Sequence, residues 1–479
     1  MTQSVVDCCL NLKLTFLISL ALIALIVQTA WAQPPTLLWS DEDANTVEIA
    51  VSKDGQYIAA AAKVWVGYTV GQLRFYSRTS ATPLWTWTAL DEEEKLFSVA
   101  LSADGDYVVA GGEAHVFFWK NARSLRGIQE PTWTGLDVVV LSEERRCLDI
   151  SDDGNYVVFC GPREDYGIIY YWADARTKTE TMVPASWSWS TDDVEAVDLS
   201  SDGNYLTAGL GTDVAYWKNA RTLTGSAQSP SWMSTEPNGG VADVAVSDDG
   251  DYAAAAADAV YYWAGAKNLV DDPPATWHGG MGLDSTSIDT SCDANSVIAG
   301  TAQAALHFWA GARLLTGTPP ADWTRTTAGR IEDVEINDAG TYVAAVDSVP
   351  ADGEGFLFTA YFYDKDGLLK WTYPFPFARM TVSLSTSCDG GRLAIGIGVS
   401  FTAYLFDTGF STPCCGAAPP SGVGIAVMLI GVGAGTAVAV VGFAIVLSRA
   451  KPMNYCRYCG RPVPPNARHC QWCRRALVW

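Results

Sequence analysis

The chain has 479 residues, of which 49% are apolar and 11% aromatic, and its 53 acidic and 31 basic side chains give a formal net charge of −22. It is too long for one small domain and too apolar for a disordered chain. Its acidity excludes a general nucleic-acid-binding protein, because a phosphate backbone requires a basic surface. Residues 448–479 are the exception, since they carry seven basic residues and no acid.

The first apolar stretch predicts export. Residues 14–27 are almost purely apolar, follow Lys13 and lead to Ala30-Trp31-Ala32. This pattern is typical of a secretory signal peptide, here residues 1–32, cleaved after Ala32. The alternative is an uncleaved anchor, because residues 14–32 are just long enough to span a bilayer. With either reading, the residues that follow lie outside the cytoplasm.

An internal repeat fills residues 33–407. A tryptophan recurs at intervals of 45 to 54 residues, and an aromatic residue ends the third β run of each copy. The recurring tryptophans are Trp39, Trp85, Trp133, Trp187, Trp232, Trp277, Trp323 and Trp371. The third-run aromatics are Tyr76, Trp119, Trp172, Trp217, Trp263, Trp309, Tyr363 and Phe406. Their default role is core packing.

A hairpin signal lies inside every copy. Asp-Gly separates two alternating β runs in six copies, and Asp293-Ala294 and Ala339-Gly340 replace it in the other two. Four short strands per repeat of about 45 residues predict an all-β fold, an eight-bladed β-propeller, with seven blades if one copy is not a blade. Because the chain enters on a tryptophan strand and leaves on a third strand, Trp39 is expected to complete the sheet of residues 380–407.

The segment Val99-Ala-Leu-Ser-Ala-Asp-Gly-Asp-Tyr-Val-Val-Ala-Gly-Gly, followed by Val116-Phe-Phe-Trp119, resembles WD-repeat propellers, although the Gly-His dipeptide and the Asp after the terminal Trp are missing. This resemblance implies a binding platform. Residues 363–371, Tyr-Asp-Lys-Asp-Gly-Leu-Leu-Lys-Trp, instead resemble the tryptophan-docking motif of quinoprotein propellers. That resemblance implies a pyrroloquinoline-quinone dehydrogenase.

Acidic residues cluster in the loops that enter the inner strands, and these loops are expected on one face. The candidate binding residues are Asp41, Glu42, Asp43, Asp91, Glu92, Glu93, Glu94, Asp192 and Asp193. They could bind a cation or a basic partner, and the plainer alternative is a solvated surface that keeps an acidic protein soluble. No catalytic motif accompanies them.

Six cysteines lie in the exterior part. Cys147 and Cys160 flank one Asp-Gly turn and are expected to form a disulfide across the hairpin. Cys292 and Cys388 occupy the same turn position in two copies, and Cys414 and Cys415 lie in the stalk, residues 408–420. A bond from Cys388 to either stalk cysteine would tether the ring.

A transmembrane helix is predicted over residues 421–447, which carry no charge for 27 residues. Arg449 and Lys451 follow, so the positive-inside rule places the C-terminus in the cytoplasm of a single-pass plasma-membrane protein. Gly431 and Gly435 form a Gly-x-x-x-Gly step that could support a homodimer or could simply be tolerated in a glycine-rich span.

The tail, residues 448–479, predicts a structural zinc ribbon. Its ligands would be two Cys-x-x-Cys pairs, Cys456, Cys459, Cys470 and Cys473. Four thiolates leave no open coordination position, so a catalytic zinc is not expected. The arginines around them retain the tail inside, where contact with membrane lipid is a natural accompaniment.

The sequence therefore predicts a membrane-anchored propeller that binds a protein or ligand, or acts as a scaffold, at the cell surface. The ligand-binding face should be the acidic loop face, opposite to the stalk. The competing hypothesis is a membrane-anchored quinoprotein-like dehydrogenase. A structural coat component is a third possibility.

Overall fold

The computed structural model describes residues 34–415, except 44, 91–93, 136–146, 164–165, 281, 283, 352–354, 376–381 and 399–401, together with 454–455 and 462–463. Within residues 34–415 the strands form eight antiparallel sheets, and their innermost strands surround one central cavity. The protein is therefore an all-β, eight-bladed propeller, as the repeat predicted.

Each blade has four strands, here named a to d from the cavity outward, and blades are numbered along the chain from strand a. The a strands are Thr46–Val51, Leu96–Leu101, Leu148–Ile150, Ala196–Leu199, Asp243–Val246, Ser285–Thr290, Arg330–Ile336 and Val382–Thr386. The b strands are Tyr57–Trp65, Tyr107–Gly112, Tyr156–Arg163, Tyr205–Leu210, Tyr252–Ala256, Ser296–Thr301, Tyr342–Pro350 and Arg392–Ile397.

The c strands are Thr69–Ser77, Val116–Lys120, Tyr166–Ala173, Asp213–Lys218, Val260–Ala264, Ala305–Ala310, Phe356–Asp364 and Thr402–Asp407. The d strands of blades 1 to 7 are Trp85–Thr88, Trp133–Thr134, Trp187–Thr191, Trp232–Ser234, Trp277–Gly279, Trp323–Thr326 and Leu369–Pro374. Strand d of blade 8 is Thr36–Asp41, at the other end of the chain.

The ring closes through this last pairing. Thr36–Asp41 runs antiparallel to Thr402–Asp407, and Trp39 lies opposite Leu405. The prediction that Trp39 completes the final sheet is confirmed. The closure removes the unpaired strand that an open ring would expose. It also places both ends of the propeller at one face, because Thr36 pairs with Asp407.

The tryptophans hold neighbouring blades together. Each d-strand tryptophan packs against the c-strand aromatic of the next blade, as Trp232 does on Trp263 at 5.7 Å between ring centroids. The same contact occurs at all eight junctions, including Trp39 on Tyr76. These tryptophans are at most 8% exposed. Their role in core packing is confirmed.

Five short 3-10 helices follow the c strands of blades 2 to 6: Ala122–Ser124, Ala175–Thr177, Ala220–Thr222, Ala266–Asn268 and Ala312–Leu314. Gly127–Ile128 adds a fifth strand to blade 1. In a separate unit, residues 417–479, Asn454–Tyr455 pairs antiparallel with Pro462–Val463. Among the described residues there is no helix long and apolar enough to cross a membrane. The predicted signal peptide and transmembrane helix lie outside those residues.

Candidate functional site

The turns between strands a and b meet around the cavity at one face, which we call the turn face. One residue per blade, just before each turn's Asp (Ala339 in blade 7), forms a ring: Lys53, Ala103, Asp152, Ser201, Asp248, Cys292, Asp338 and Cys388. At six of the eight junctions the backbone N–H of this residue donates to the carbonyl of its counterpart in the next blade, over 2.8–3.2 Å. Hydrogen bonding therefore continues from blade to blade around this mouth of the cavity.

One lysine faces three carboxylates in this ring. Lys53 Nζ lies 2.9 Å from Asp152 Oδ1 and 3.4 Å from Asp248 Oδ1. Burial acts to lower the pKa of Lys53, but the charges of Asp248, Asp152 and Asp338 outweigh it and raise that pKa. Burial raises the pKa of Asp338 to about 6, although Lys53 opposes the change. The positive charge at this mouth of the cavity is therefore supplied by the protonated Lys53 side chain.

The stalk is fastened across the same mouth by two disulfides. Cys388 bonds to Cys414 and Cys292 bonds to Cys415, so the segment joins blades 8 and 6. Between them, Cys415 Sγ lies 3.3 Å from the carbonyl oxygen of Asp338 in blade 7. The proposed tether from Cys388 is therefore present, and the second bond, from Cys292, was not anticipated.

These groups do not make a zinc site. Ligand atoms of Asp338, Cys388 and Cys414 lie within 4.8 Å of one another. However, the two sulfur atoms are joined to each other, and zinc binds the thiolate form of cysteine. The four cysteines of the predicted zinc ribbon lie outside the described residues.

The cavity has acidic walls. Its volume is about 1390 Å³, and among the described residues eleven acidic and two basic side chains line it. The acids are Glu48, Asp149, Asp152, Glu195, Asp198, Asp248, Asp289, Glu332, Asp333, Glu335 and Asp338, and the bases are Lys53 and Arg330. Such an excess of one sign attracts cations and repels anions.

Several of these carboxylates also connect neighbouring blades. Asp149 Oδ2 accepts a hydrogen bond from the backbone N–H of Leu199 at 2.9 Å, and Asp198 accepts one from Val246. Burial raises the pKa of Asp149 to about 6. Burial and the neighbouring Asp149 raise the pKa of Asp198 well above its ordinary value. Each of these two carboxylates therefore lines the cavity and also accepts a hydrogen bond from the next blade.

The opposite face carries three unusually long hairpins between strands b and c. In blades 1, 3 and 7 these strands have eight or nine residues, whereas the other five blades have five or six. Three extra residues at about 3.3 Å each make a hairpin longer by roughly 10 Å. We call this surface the hairpin face.

Aromatic side chains are exposed at the ends of these hairpins. Among the described residues every exposed aromatic lies there: Trp65, Tyr68, Tyr166 and Phe356. Trp65 is 75% exposed, and beside it the Tyr68 hydroxyl donates to the carbonyl of Leu90, which is itself 91% exposed. Exposed aromatic and aliphatic side chains that share one face are typical of interaction surfaces.

The candidate acidic residues that the structure describes lie on or under the hairpin face, but their side chains differ in solvent exposure. Glu42, Asp43 and Asp192 are exposed, and Asp193 is half-buried. Residues 91–93 lie outside the described residues. Asp41 is tied to Arg74 at 2.8 Å and to the Tyr76 hydroxyl.

Glu94 is also engaged inside the protein, since it is 6% exposed and its Oε2 lies 2.6 Å from His115 Nδ1. Asp41 and Glu94 therefore stabilise the loops rather than face solvent. The exposed acids flank the long hairpins: the loop that contains Glu42 and Asp43 is bonded to the blade 1 hairpin through Asn45, whose carbonyl accepts from Lys63 N–H.

Comparison with known proteins gives the fold alone. No family model matches the chain, and no curated protein matches it. Among solved structures, the C-terminal WD40 domain of Sif2 matches with a TM-score of 0.56 at 12% identity, over 79% of this chain and 99% of that one. The protein has a WD40-like propeller fold. The computationally designed protein Ika8 matches this propeller at a TM-score of 0.54 and 14% identity, over 78% of this chain and 98% of that one.

Sequence reasoning missed the long hairpins, whose ends carry the exposed aromatic side chains. One local signal was present, because Trp65-Val-Gly-Tyr68 is an aromatic turn that no other copy has, but the repeat that contains it is of ordinary length, 46 residues from Trp39 to Trp85. The interval between two recurring tryptophans does not distinguish a repeat with a longer hairpin from one with a longer loop.

Proposed function

We propose that the protein is a membrane-anchored propeller that binds a basic protein partner at the cell surface through its hairpin face. The observation that carries the proposal is the concentration of exposed aromatics at the ends of the three long hairpins. The WD40-like fold is consistent with a scaffold that binds other proteins and has no catalytic role. Fold likeness alone does not name a partner.

The chemistry of the partner is inferred from charge. Exposed Glu42, Asp43 and Asp192 flank the aromatic hairpins, and the cavity walls are acidic. Lysine and arginine side chains pair with carboxylates and also stack on aromatic faces. A partner with exposed basic residues would satisfy both features. A partner of the same acidic character would be repelled.

The orientation is inferred from the two ends of the propeller. The strand that contains Thr36 begins at the turn face, and the chain leaves Asp407 at the same face. A membrane anchor before residue 33 or after residue 420 would therefore place the hairpin face away from the bilayer. The three disulfides, which pair all six cysteines of residues 33–420, support an oxidising, extracytoplasmic location.

The binding proposal is tested by co-purifying the full-length protein with its neighbours from native membranes and quantifying them by mass spectrometry. Trp65→Ser should lose at least one basic partner. Leu314→Ser is the matched control, because Leu314 is 87% exposed on the turn face. Equal recovery of every co-purifying protein with both variants would refute the proposal.

The membrane topology has its own test. Protease added to intact cells should degrade the propeller and leave a protected fragment that contains residues 448–479. Protection of the whole chain would place the propeller inside and contradict the proposed orientation.

The tail is proposed to bind one structural zinc ion through Cys456, Cys459, Cys470 and Cys473. The described strands Asn454–Tyr455 and Pro462–Val463 bracket the first cysteine pair in sequence, as in a zinc knuckle on a hairpin. Elemental analysis should find one zinc atom per chain, and Cys456→Ser should abolish it.

The enzymatic alternative, a quinoprotein-like dehydrogenase, makes a separate prediction. Purified ectodomain should then absorb visible light, or become active when reconstituted with pyrroloquinoline quinone and Ca²⁺.

A further inference from the structure

Five blades have their outer strands covered by the neighbouring blade. The segment that starts at the N-cap of each 3-10 helix is here called the covering segment, and its part after the helix runs parallel to strand d of the preceding blade. The paired residues are Trp85 with Gly127, Gly135 with Val183, Trp187 with Gly225, Trp232 with Asp271, and Trp277 with Gly317. Strand edges are sites where other chains add, so this cover protects blades 1 to 5.

The covering segments share a construction, and the one over blade 3 illustrates it. The carbonyl of Ala220 accepts the indole N–H of Trp187 at 2.8 Å. Leu223, three residues later, packs against the core between blades. Gly225 then exchanges backbone hydrogen bonds with Ser186 and Ser188. Leu125, Leu269 and Leu315 occupy the position of Leu223 in three other covering segments.

Blades 6, 7 and 8 have no such cover within the described part of the chain. Blade 7 turns from strand c to strand d in four residues, Lys365 to Leu368, and so cannot reach over blade 6. The segment after strand c of blade 8 packs Phe410 on Tyr342 of blade 7 and then turns to the cavity mouth, where Thr412 bonds Asp389. Strand d of blade 7, Leu369–Pro374, is left as an outer edge, here called the open edge.

The open edge has an unmet hydrogen bond. In the other seven blades the d-strand tryptophan donates its indole N–H to a carbonyl of the next blade. Trp371 is 3% exposed, and its indole nitrogen has no partner among the described residues. A buried donor without a partner has lost its hydrogen bond to water and gained none in the protein. Leu368 and Leu369 beside it are 62% and 42% exposed.

We propose that the open edge binds an extended segment of a partner protein, which adds to blade 7 as a parallel fifth strand. The five covering segments define what this partner segment must supply. It needs a backbone carbonyl for the Trp371 indole, an aliphatic residue three positions later, and a small residue after a further two that pairs beside Trp371. The equivalence with Ser188 makes the backbone N–H of Thr372 a donor to the incoming strand.

A defined probe tests the proposal. A fluorescent peptide that copies residues 219–228, the covering segment of blade 3, is titrated into the full-length protein in detergent and followed by fluorescence polarisation. Binding to the wild type is expected. Thr372→Pro, which removes the outward N–H, should weaken it at least tenfold, and Thr372→Val, which keeps that N–H, should not.

Further controls keep the test decisive if Thr372→Pro does not fold. Trp371→Phe removes the unpaired donor together with part of the ring but keeps an aromatic side chain, and peptide binding should weaken severalfold. A peptide with Ser in place of Leu223 should bind at least tenfold more weakly. Trp65→Ser should leave peptide binding unchanged, which separates the open edge from the hairpin face.

Three results would overturn the proposal: no binding of the peptide at millimolar concentration, equal binding by Thr372→Pro and Thr372→Val in folded protein, or equal binding of both peptides. A dimer that dissociates on Thr372→Pro, with no peptide binding, would show that a second copy occupies the edge and would also overturn it.

Discussion

Blades 1 to 5 and blades 6 to 8 are built from the same repeat, yet their outer rims differ. The first five are covered by the next blade, and each buries its strand d tryptophan to 2% exposure or less. In the last three, Trp323, Trp371 and Trp39 are 8%, 3% and 8% exposed. The difference comes from the connection after strand c rather than from the strands. In a repeat protein, the connections can therefore vary in function while the strands keep the fold.

The largest effect expected from this comparison is the loss of an inter-blade tryptophan. Trp232→Ala should destabilise the propeller by about 3–5 kcal/mol, because a fully buried ring is removed. Trp232→Phe and Trp371→Phe sharpen the contrast. Both variants lose part of a buried ring, but the first also leaves the carbonyl of Ala266 without its donor, whereas the second removes an N–H that has no partner. The first should therefore cost about 1–2 kcal/mol more than the second. Denaturant unfolding measures all three, and equal costs for the two Phe variants would contradict the asymmetry.

Disulfides come next. The Cys147–Cys160 bond lies within blade 3, in the covered part, and closes a loop of 13 residues. Replacing both cysteines with Ala should lower the free energy of unfolding by about 3 kcal/mol. Replacing Cys388 and Cys414 with Ala should detach the stalk from blade 8, while Cys415 stays bonded to Cys292 in blade 6, and should leave blade 3 unaffected. Hydrogen exchange resolves the two: faster exchange confined to strands of blade 3 is expected for the first pair and confined to the turn face for the second.

The junctions between blades should also respond differently to pH. The acceptor is Asp149 at the junction of blades 3 and 4 and Asp198 at the junction of blades 4 and 5, whereas at the junction of blades 8 and 1 the acceptors are the hydroxyls of Ser383 and Ser385. A carboxyl whose pKa is raised by folding stabilises the protein at low pH, and this contribution is lost as the pH rises through the folded value.

For Asp149 that window runs from about 4 to just above 6. The loss should be on the order of 2 kcal/mol. Asp198→Asn should flatten the dependence of the melting temperature on pH between 4 and 7, and Ser385→Ala should shift the curve without changing its slope. Parallel curves for wild type and Asp198→Asn would show that the pair does not titrate in this range.

The smallest effect concerns the arginine of the covering segments. Arg221 lies over the ring of Tyr156 in blade 3 at 5.6 Å and pairs with Asp202 at 3.4 Å. Both groups of this ion pair are partly exposed, so Arg221→Ala should cost only about 0.5 kcal/mol. Lys370 lies over Phe410 at the open edge and also pairs with Asp364, and both groups of that pair are less exposed, so Lys370→Ala should cost somewhat more, about 1 kcal/mol. Chemical unfolding measures the loss of stability in both variants. A loss above about 2 kcal/mol in either variant would contradict the prediction.

Much of the fold could be predicted from the sequence because a propeller repeats its signals. The Asp-Gly turns, the recurring tryptophans and the phase of Trp39 were enough for eight blades and for closure through Thr36–Asp41. Each of these is a local pattern with a fixed spacing. The bond between Cys147 and Cys160 follows for the same reason, since one hairpin brings them together.

The surface could not be predicted as well. Asp41 and Glu94 look like their exposed acidic neighbours in sequence, but Arg74 and His115, more than twenty residues away, hold them. The bond between Cys292 and Cys415 joins residues 123 apart. The open edge exists because no covering segment runs along strand d of blade 7. The missing acceptor for the Trp371 indole leaves no pattern in the nearby sequence. Such features depend on which loops meet after the ring has closed.

The two stalk disulfides determine how the ring bears mechanical load. Tension applied to the chain beyond Cys415 enters the propeller through Cys292 in blade 6 and through Cys414 and Cys388 in blade 8. It therefore bypasses Thr402–Asp407, the strand whose pairing with Thr36–Asp41 closes the circle. A pull on the chain after Cys415 is therefore shared by two covalent links and does not load the strand pairing that closes the ring.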